Sequence, residues 1–397
     1  MIKKIDNILY NIVKSLDDKN DSVECLVYAN NFVFAKNYLN KLYKNVYEYP
    51  FISAFGIKAN LNNITKIAGL RQIKYISSVT KVFTQVNIAK KVHSFDDDIL
   101  QYTGKGVNIA IIDTGISEHL DFCSFRNRIL HFEDFVNGKK TPYDDNGHGT
   151  FVAGVLSGNG FVSGKKYAGI APNANVIMCK ALDEKGETGS LTVLKAMQWI
   201  YENKQKYNIK IVCMSLGSQP LDGSDPLMQG AEALWNAGIV VVAAAGNSGP
   251  EYRTIKSPGI SARIITVGAL DDGRNKSQND NAKTEYSVAS FSSRGPSYNF
   301  YKPDCLASGV DVVCTYIGED SYAKMSGTSV STPIVAGSCA LLLEKYPNLT
   351  PIQVKSKIIN SCDYINGDRN SEGFGLLNIK KLLVWICLIF KKNNKKN

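Results

Sequence analysis

Five runs of almost unbroken apolar residues constrain the fold of this chain more than any other feature. They span residues 107–113, 176–182, 209–216, 239–246 and 264–269. Continuous apolar runs of this length predict strands that are buried on both faces. Segments with helical character separate them, at residues 148–157, 191–206, 226–236 and 332–346. The alternation predicts an α/β fold whose doubly wound, mostly parallel sheet is covered by helices on both sides.

A different pattern precedes this region. Strands predicted at 24–28, 54–59 and 73–76 alternate with helices predicted at 34–43 and 61–68. This order predicts a small open-faced α/β domain over residues 1–85. Residues 86–102 are polar and lack a clear period, so we interpret them as a linker or as an extended arm of the next domain. The chain is therefore divided into 1–85, 86–380 and a tail at 381–397.

The tail combines a short apolar segment, 382–390, with a lysine-rich finish. The apolar segment is too short to span a bilayer. We interpret it as the end of a packed terminal helix and expect no membrane partner, although the lysines leave binding to a membrane surface as an alternative.

The net charge of +10 comes from the two ends of the chain. Residues 86–379 hold 28 basic and 30 acidic side chains, so the central region is close to neutral. A near-neutral domain offers no basic face to a polyanion, which excludes nucleic acid as an expected partner.

The N-terminal residues run into an amphipathic segment and not into a continuous apolar one, so we predict no signal peptide. The nine cysteines are scattered singly, without a Cys-x-x-Cys pair. That spacing favours free thiols over a disulfide framework or a zinc site. Together these features predict a cytoplasmic protein, with export by another route left open.

Three short motifs carry residues with catalytic chemistry. They are Asp113-Thr114-Gly115 at the end of an apolar run, His148-Gly149-Thr150 at the start of a helix, and Gly327-Thr328-Ser329 just before the apolar run 334–343. Each has a simpler explanation when taken alone: Ser329 as a helix cap, Asp113 as a turn residue, His148 as an ordinary surface or core residue. Together they supply a nucleophile, a base and an orienting carboxylate.

With these motifs, their Asp, His, Ser order and the further segment Ala245-Gly246-Asn247-Ser248-Gly249, residues 100–380 resemble the subtilisin-like serine proteases, or subtilases. Four signatures in one order make the likeness highly specific. It implies an endopeptidase in which Ser329 attacks the scissile carbonyl, His148 transfers the proton and Asp113 orients the imidazole. By the same resemblance, Asn247 and the backbone N–H of Ser329 bind the oxyanion.

The resemblance also implies a substrate groove in which an extended peptide or protein segment pairs with two edges of the enzyme. One edge is Ser215-Leu216-Gly217, and the other is a strand-like segment that includes Gly186, Glu187 and Thr188. Gly246 would line the first specificity pocket. We place Lys256 near the floor of that pocket, where its charge would favour polar or acidic side chains.

Residues 1–85 resemble the family's propeptide, an intramolecular chaperone and inhibitor that acts on its own enzyme in cis. Self-cleavage is expected at or near the Gln85–Val86 bond, which would make the intact chain a zymogen. A binding or regulatory pseudoenzyme of the same fold is the alternative, but it would be expected to have a damaged catalytic set.

No cofactor is expected for catalysis, although calcium is a structural ion in this family. Residues 159–164 stand where one calcium loop is expected, but they contain no carboxylate. Calcium prefers six to eight oxygen ligands, so we assign no metal-binding residue. The sequence predicts no particular oligomeric state.

Overall fold

The structure is a computed structural model that describes residues 4–5, 9, 21–50, 53–78, 92–94, 101–221, 225–273, 286–365 and 367–384. The chain divides into two compact units, Met1–Phe83 and Thr84–Asn397. Each unit has a hydrophobic core of its own. The predicted processing bond between Gln85 and Val86 lies outside the described residues, as does most of the predicted tail.

The described part of the N-terminal unit contains a four-stranded antiparallel sheet and two complete helices. Its elements are β1 (Val23–Ala29), α1 (Phe32–Leu42), β2 (Tyr47–Tyr49), β3 (Ala54–Ala59), α2 (Leu61–Ala68) and β4 (Ile73–Ser78), and the strand order is β2-β3-β1-β4. Side chains of Asn31 and Asn60 accept backbone N–H groups and so begin the two helices. The five predicted elements are all present. Strand β2 was not predicted, because three residues are too few to show an alternating pattern.

The larger unit alternates strands and helices from residue 108 onward. Its elements are β5 (Asn108–Asp113), α3 (Leu120–Cys123), β6 (Ile129–Asp134), α4 (His148–Ser157), β7 (Asn175–Lys180), α5 (Ser190–Asn203), β8 (Ile209–Met214), α6 (Pro226–Asn236), β9 (Val240–Ala244), β10 (Ile265–Asp271), β11 (Ser287–Val288), β12 (Cys305–Ser308), β13 (Val312–Thr315), β14 (Tyr322–Met325), α7 (Thr328–Lys345), α8 (Pro351–Asn360), β15 (Cys362–Asp363), α9 (Arg369–Glu372), β16 (Leu376–Leu377) and α10 (Ile379–Val384).

Ten of these strands form one sheet in the order β15-β16-β12-β10-β9-β8-β5-β7-β6, with β11 beside β10. The pairs from β6 to β16 are parallel, whereas β11 and β15 pair antiparallel at their edges. The five apolar runs became β5, β7, β8, β9 and β10 at the centre of the sheet. The prediction of a doubly wound, mostly parallel sheet is confirmed. None of the described helices is both long and apolar enough to cross a membrane.

Helix α7 is almost completely buried and carries Ser329 in its first turn. Its start was predicted at residue 332 but lies at Thr328, four residues earlier. The prediction was wrong because Pro333 was expected in the first turn of the helix, and Pro333 instead lies inside it. Proline has no N–H, so the carbonyl of Ser329 has no helical partner four residues later. The hydroxyl of Ser215 donates to that carbonyl instead, at 2.8 Å. The proline therefore frees an acceptor that ties the helix to the end of β8.

His93 anchors the short segment 92–94 to the larger unit. Its ring is fully buried, with Nδ1 2.6 Å from the carbonyl oxygen of Leu377 and Nε2 3.1 Å from the backbone nitrogen of Ser308. Nδ1 must therefore donate while Nε2 accepts, which requires a neutral ring. Burial lowers the pKa of His93 to about 4, although the Leu377 carbonyl and Asp272 oppose that shift.

This burial predicts acid sensitivity. Because the pKa of His93 is about 4 when folded and 6.5 ordinarily, the unfolded chain takes up a proton first as the pH falls. The stability from His93 is complete above pH 6.5, and roughly 3 kcal/mol is lost on acidification toward pH 4. Urea unfolding of a Ser329→Ala protein across this range measures the loss.

A His93→Asn variant is the comparison. We expect it to be less stable at neutral pH and to lose less stability between pH 6.5 and 4 than the parent protein. An equal pH slope in both proteins would contradict the neutral, buried state of His93.

Candidate active site

The end of β5 meets the start of α4. Asp113 is the last residue of β5 and is 1% exposed, and His148 is the first residue of α4. His148 Nδ1 lies 2.7 Å from Asp113 Oδ1. The same oxygen accepts the backbone N–H of Thr114 at 2.8 Å. The structure thus brings together two of the three predicted catalytic side chains in a hydrogen-bonded pair.

Two glycines allow this close approach. A Cβ atom on Gly149 would lie 2.2 Å from the carbonyl oxygen of Gly115. A Cβ atom on Gly115, whose φ is +130°, would lie 2.1 Å from the carbonyl oxygen of Tyr143. Both positions therefore exclude any larger residue, which gives a steric reason for the glycines that follow Asp113 and His148 in the two motifs.

Asp144 organises the segment before α4 and was not predicted as a site residue. Its Oδ1 accepts the backbone N–H of Gly147 at 2.8 Å and the hydroxyl of Thr114 at 2.9 Å. Its Oδ2 accepts the backbone N–H and the hydroxyl of Thr150, at 2.9 and 2.6 Å. A carboxylate four residues before the histidine, at the N-terminus of a helix, was the signal that could have identified it.

The charges around His148 act in opposite directions. Burial lowers the pKa of His148, whereas Asp113 and Asp144 raise it, and the net effect is a raised pKa. A base that starts neutral and becomes charged during a reaction benefits from nearby carboxylates, because they stabilise the imidazolium that forms.

Ser329 and Asn247 lie side by side. The Oδ1 atom of Asn247 accepts both the backbone N–H and the hydroxyl of Thr328 at 2.9 Å, so its amide nitrogen Nδ2 is the end left to face the cleft. A Cβ atom on Gly327 would lie 3.0 Å from Ser329 Oγ and 3.3 Å from Asn247 Nδ2. These two groups therefore border one small space. Thr328, which orients the amide, was overlooked as a site residue although it is the middle residue of the predicted motif.

A cleft of about 810 Å³ runs past these groups. Among the residues that line it are His148, Ser329, Asn247 and all seven predicted substrate-binding residues, Gly186, Glu187, Thr188, Ser215, Leu216, Gly217 and Gly246. The segment at 186–189 differs from its prediction, because it is not a strand. The backbone closes a turn in which Asp183 accepts the N–H groups of Lys185 and Glu187 before α5 begins.

Lys256 also lines the cleft. A Cβ atom on Gly246 would lie 2.4 Å from Lys256 Cγ, and one on Gly217 would lie 2.8 Å from Lys256 Cβ. The aliphatic part of the side chain is thus packed between two glycines that border the cleft. Its ammonium group lies 2.6 Å from Oε1 of Gln219 at an exposed position.

The predicted calcium loop is held by protein donors. The two carboxylate oxygens of Asp121 accept the backbone N–H of Val162 at 3.0 Å and the hydroxyl of Tyr322 at 2.8 Å. The buried guanidinium of Arg128 donates to the carbonyls of Ser157, at 2.6 Å, of Ala174, at 3.1 Å, and of Asp121. A cation is therefore already in contact with the oxygens around this loop. These residues do not fit a calcium ion, and the described part of the chain holds no cluster of three acidic, histidine or cysteine residues suited to a metal.

Residues 104–376 match the model of the subtilase family, peptidase type S8, which is more than half of the chain. The chain belongs to the subtilase family. The resemblance predicted from the motifs is confirmed, and this subtilase is a serine protease.

Named relatives of this subtilase are proteases. Serine protease AprX of Bacillus subtilis (strain 168) is 41% identical over 339 residues, which cover 80% of this chain and 74% of that protein. Subtilisin DY of Bacillus licheniformis is 34% identical over 282 residues, which cover 70% of this chain and 91% of that protein. The solved structure of Sphericase superposes with a TM-score of 0.60 at 30% identity, covering 73% of this chain and 96% of that one.

The prediction of a cytoplasmic location is wrong, because relatives of this subtilase are secreted extracellular subtilisins. The inference from unpaired cysteines failed for a physical reason. Cys25, Cys179, Cys213 and Cys339 are buried, and burial raises the pKa of each of these thiols. A buried thiol forms little thiolate and reacts slowly, so its reduced state does not report the compartment.

The contacts of Arg128 predict stability without calcium at this loop. We expect EGTA to leave the melting temperature of the Ser329→Ala protein unchanged. Arg128→Met should lower the stability by at least about 2 kcal/mol, because it leaves buried carbonyl groups without a donor. Thermal unfolding with EGTA or with added calcium measures both effects.

Arg126→Met is the matched control, because Arg126 is exposed and donates to Asn175 at 3.0 Å. It should be close to the parent protein in stability. A large fall in melting temperature of the parent protein in EGTA would contradict the interpretation.

Proposed function

We propose that this subtilase is an endopeptidase whose catalytic groups are Ser329, His148 and Asp113, with Asn247 as an oxyanion donor. The observation that carries the proposal is the 2.7 Å contact between His148 Nδ1 and Asp113 Oδ1, beside a cleft that also holds Ser329. A damaged catalytic set would have favoured a pseudoenzyme, and no observation favours that alternative.

The reaction proceeds in two halves. Ser329 Oγ bonds to the scissile carbonyl carbon while its proton passes to Nε2 of His148. When the C–N bond breaks, His148 gives this proton to the leaving amine, and an acyl-enzyme remains. Water then attacks the ester carbonyl and gives a proton to His148, and that proton returns to Ser329 Oγ as the acid leaves. Asp113 stabilises the imidazolium in both halves.

In this proposal the oxyanion of each tetrahedral intermediate binds between Asn247 Nδ2 and the backbone N–H of Ser329. The support is the fixed orientation of the amide, whose oxygen is occupied by two bonds from Thr328. A donor that is already oriented stabilises developing charge without reorganisation, and loss of one such donor typically costs about 2.7 to 4 kcal/mol in the barrier. The first turn of α7 adds its unpaired N–H groups on the same side.

We also propose that residues 1–85 act as a propeptide in cis and that the chain cleaves itself at or near Gln85–Val86. The support is the division of the chain into two compact units between Phe83 and Thr84, each with its own core. A separately folded N-terminal unit that ends next to the proposed bond suits an inhibitor that is released as one piece.

Loss of the nucleophile tests both proposals together. Ser329→Ala should remain at full length and should lose casein hydrolysis by several orders of magnitude. Wild-type protein should acquire a new N-terminus near Val86. Gel analysis, N-terminal sequencing and a casein assay measure these outcomes.

Ser338→Ala is the control, since Ser338 lies on the same helix and its hydroxyl donates within that helix, to the carbonyl of Ile334 at 2.8 Å. It should process and digest casein like wild type. Self-cleavage or casein digestion by Ser329→Ala would overturn the mechanism, and a native Met1 on fully active enzyme would overturn obligatory processing.

We propose further that Lys256 favours acidic or polar side chains at the residue before the scissile bond. The support is its place in the cleft, where its stem lies between Gly217 and Gly246 and its ammonium reaches Gln219. An acidic side chain in this pocket would replace the neutral amide oxygen of Gln219 with a charged partner.

A peptide series with Glu, Gln or Leu before the scissile bond measures this preference. Wild type should cleave the Glu peptide with the highest kcat/KM. Lys256→Met should reduce kcat/KM for the Glu peptide by roughly 10-fold and raise it for the Leu peptide, because the charge is replaced by an apolar stem of similar length. A clear preference of wild type for the Leu peptide would contradict the role of Lys256.

A further inference from the structure

Lys180 is a buried lysine on the strand next to the one that carries Asp113. Its side chain is 0% exposed, and it is the last residue of β7. The ammonium group lies 2.6 Å from the carbonyl of Thr114, 2.9 Å from the carbonyl of Leu182 and 2.6 Å from Oδ1 of Asp145. All three donors of the ammonium therefore have an acceptor.

A charge in this position is costly to bury. Removing an ammonium from water costs several kcal/mol, and replacing a whole buried ion pair by apolar side chains of similar volume is often neutral or stabilising, although removal of one partner alone is destabilising. In addition, its carboxylate partner, Asp145, is 32% exposed, which weakens the attraction between the two charges. Stability alone is a weak reason for Lys180, so its contacts are the better guide to its role.

The first contact holds the segment that orients Asp113. In the described part of the chain, the carboxylate of Asp113 is bonded to His148 and to the backbone N–H of Thr114, and its Oδ2 atom is buried without a partner. The Thr114 backbone is thus the fixed donor that sets the direction of the carboxylate. Lys180 holds the carbonyl of that same residue, and β5 pairs Asp113 directly with Lys180.

The second contact holds the segment that begins α4. Asp145 precedes Asn146, whose side-chain oxygen accepts the backbone N–H of His148 at 3.2 Å. Thr114 connects the same two segments, since its hydroxyl donates to Asp144 and accepts the N–H of Gly149. One ammonium therefore spans the gap between the segment after Asp113 and the segment before His148.

We propose that Lys180 is a positioning residue that sets the distance and angle between Asp113 and His148. Its side chain is buried and does not line the cleft. Its effect is on the proton transfer that His148 performs, so the inference rests on the proposed function. Misplacement of a catalytic group by about 1 Å can cost 100-fold in rate, which sets the scale of the expected effect.

Lys302 offers a matched control. It is also buried, and its ammonium lies 2.6 Å from Asp304, 2.7 Å from the hydroxyl of Thr266 and 3.1 Å from the carbonyl of Ile264. None of these four residues lines the cleft. The ammonium group of Lys302 makes three hydrogen bonds, as many as that of Lys180, but none of them to the segments that carry Asp113 and His148. Its loss therefore removes a similar buried group at a different place.

The experiment compares Lys180→Met with Lys302→Met. We expect both to lower the melting temperature. We expect only Lys180→Met to lower kcat, by about 10- to 100-fold per active site titrated with a serine-directed phosphonate, while KM changes less than about twofold. Wild-type kcat per titrated site in Lys180→Met would overturn the proposal, because it would reduce Lys180 to a stabilising residue.

A spectroscopic signature separates position from stability. In the Ser329→Ala background, the downfield proton resonance of His148 Nδ1–H reports its bond to Asp113. Lys180→Met should shift or broaden this resonance, and Lys302→Met should leave it unchanged. An unshifted resonance in Lys180→Met would also overturn the proposal.

If Lys180→Met does not fold, the variant Asp145→Asn tests the proposal in its place. Asp145 is partly exposed, so this variant keeps the fold and weakens one of the three bonds of Lys180. A loss of kcat of about threefold or more at unchanged KM supports the proposal, and an unchanged kcat overturns it. The casein assay of Ser329→Ala tests the proposed function separately, because that variant keeps Lys180. The proposed function can therefore hold even if the proposal for Lys180 fails.

Discussion

The hydrogen bond between Asp113 and His148 is the constraint on which the rest of the site depends. It requires the end of a central strand and the start of a helix to approach until their backbones touch. Gly115 and Gly149 make this approach possible, since a side chain at either position would overlap a carbonyl oxygen. The two motifs are therefore one packing unit, in which the glycines allow the contact between Asp113 and His148.

Buried charges hold this unit and its surroundings in place. Asp144 binds the N-terminus of α4, Lys180 binds the segments on both sides of the gap, and Arg128 binds carbonyls around the loop at 159–164. Each charge is satisfied by several fixed partners, which is the condition under which a buried charge is tolerated. Such groups add specificity of position in a domain whose stability comes mainly from the apolar sheet and helices.

Ser329, the proposed nucleophile, is held in place by different contacts. Helix α7 lies in the core, and Pro333 leaves the carbonyl of Ser329 free for the hydroxyl of Ser215. That bond links the nucleophile's own backbone to the edge that lines the cleft. On the other side, Thr328 fixes the amide of Asn247. Ser329, Asn247 and one edge of the cleft thus share a short network of bonds, which suits their proposed roles as nucleophile and oxyanion donor.

The sequence by itself determined the five central strands and the four long helices α4 to α7 of the larger unit, the family, and the identity of many residues around the cleft. These features are local, because each can be recognised from a few neighbouring residues. Examples are an apolar run, a glycine after an aspartate and a serine before a buried helix. The start of α7 was misplaced because a proline in the first turn and a proline inside a helix look alike in sequence. The segment at 186–189 was mistaken for a strand because the turn formed by Asp183 depends on side-chain bonds.

Only the tertiary structure showed the contacts of Thr328, Lys180 and Arg128, because most of their partners are distant in sequence. Lys180 interrupts an apolar run, and that exception could be seen in the sequence. The partners of Lys180 could not be predicted from the sequence, because Thr114 and Asp145 reach its ammonium group only when β5 and β7 pair and α4 folds against them. The residue types of this site can thus be recognised from short sequence motifs, whereas its geometry depends on how the sheet and helices pack.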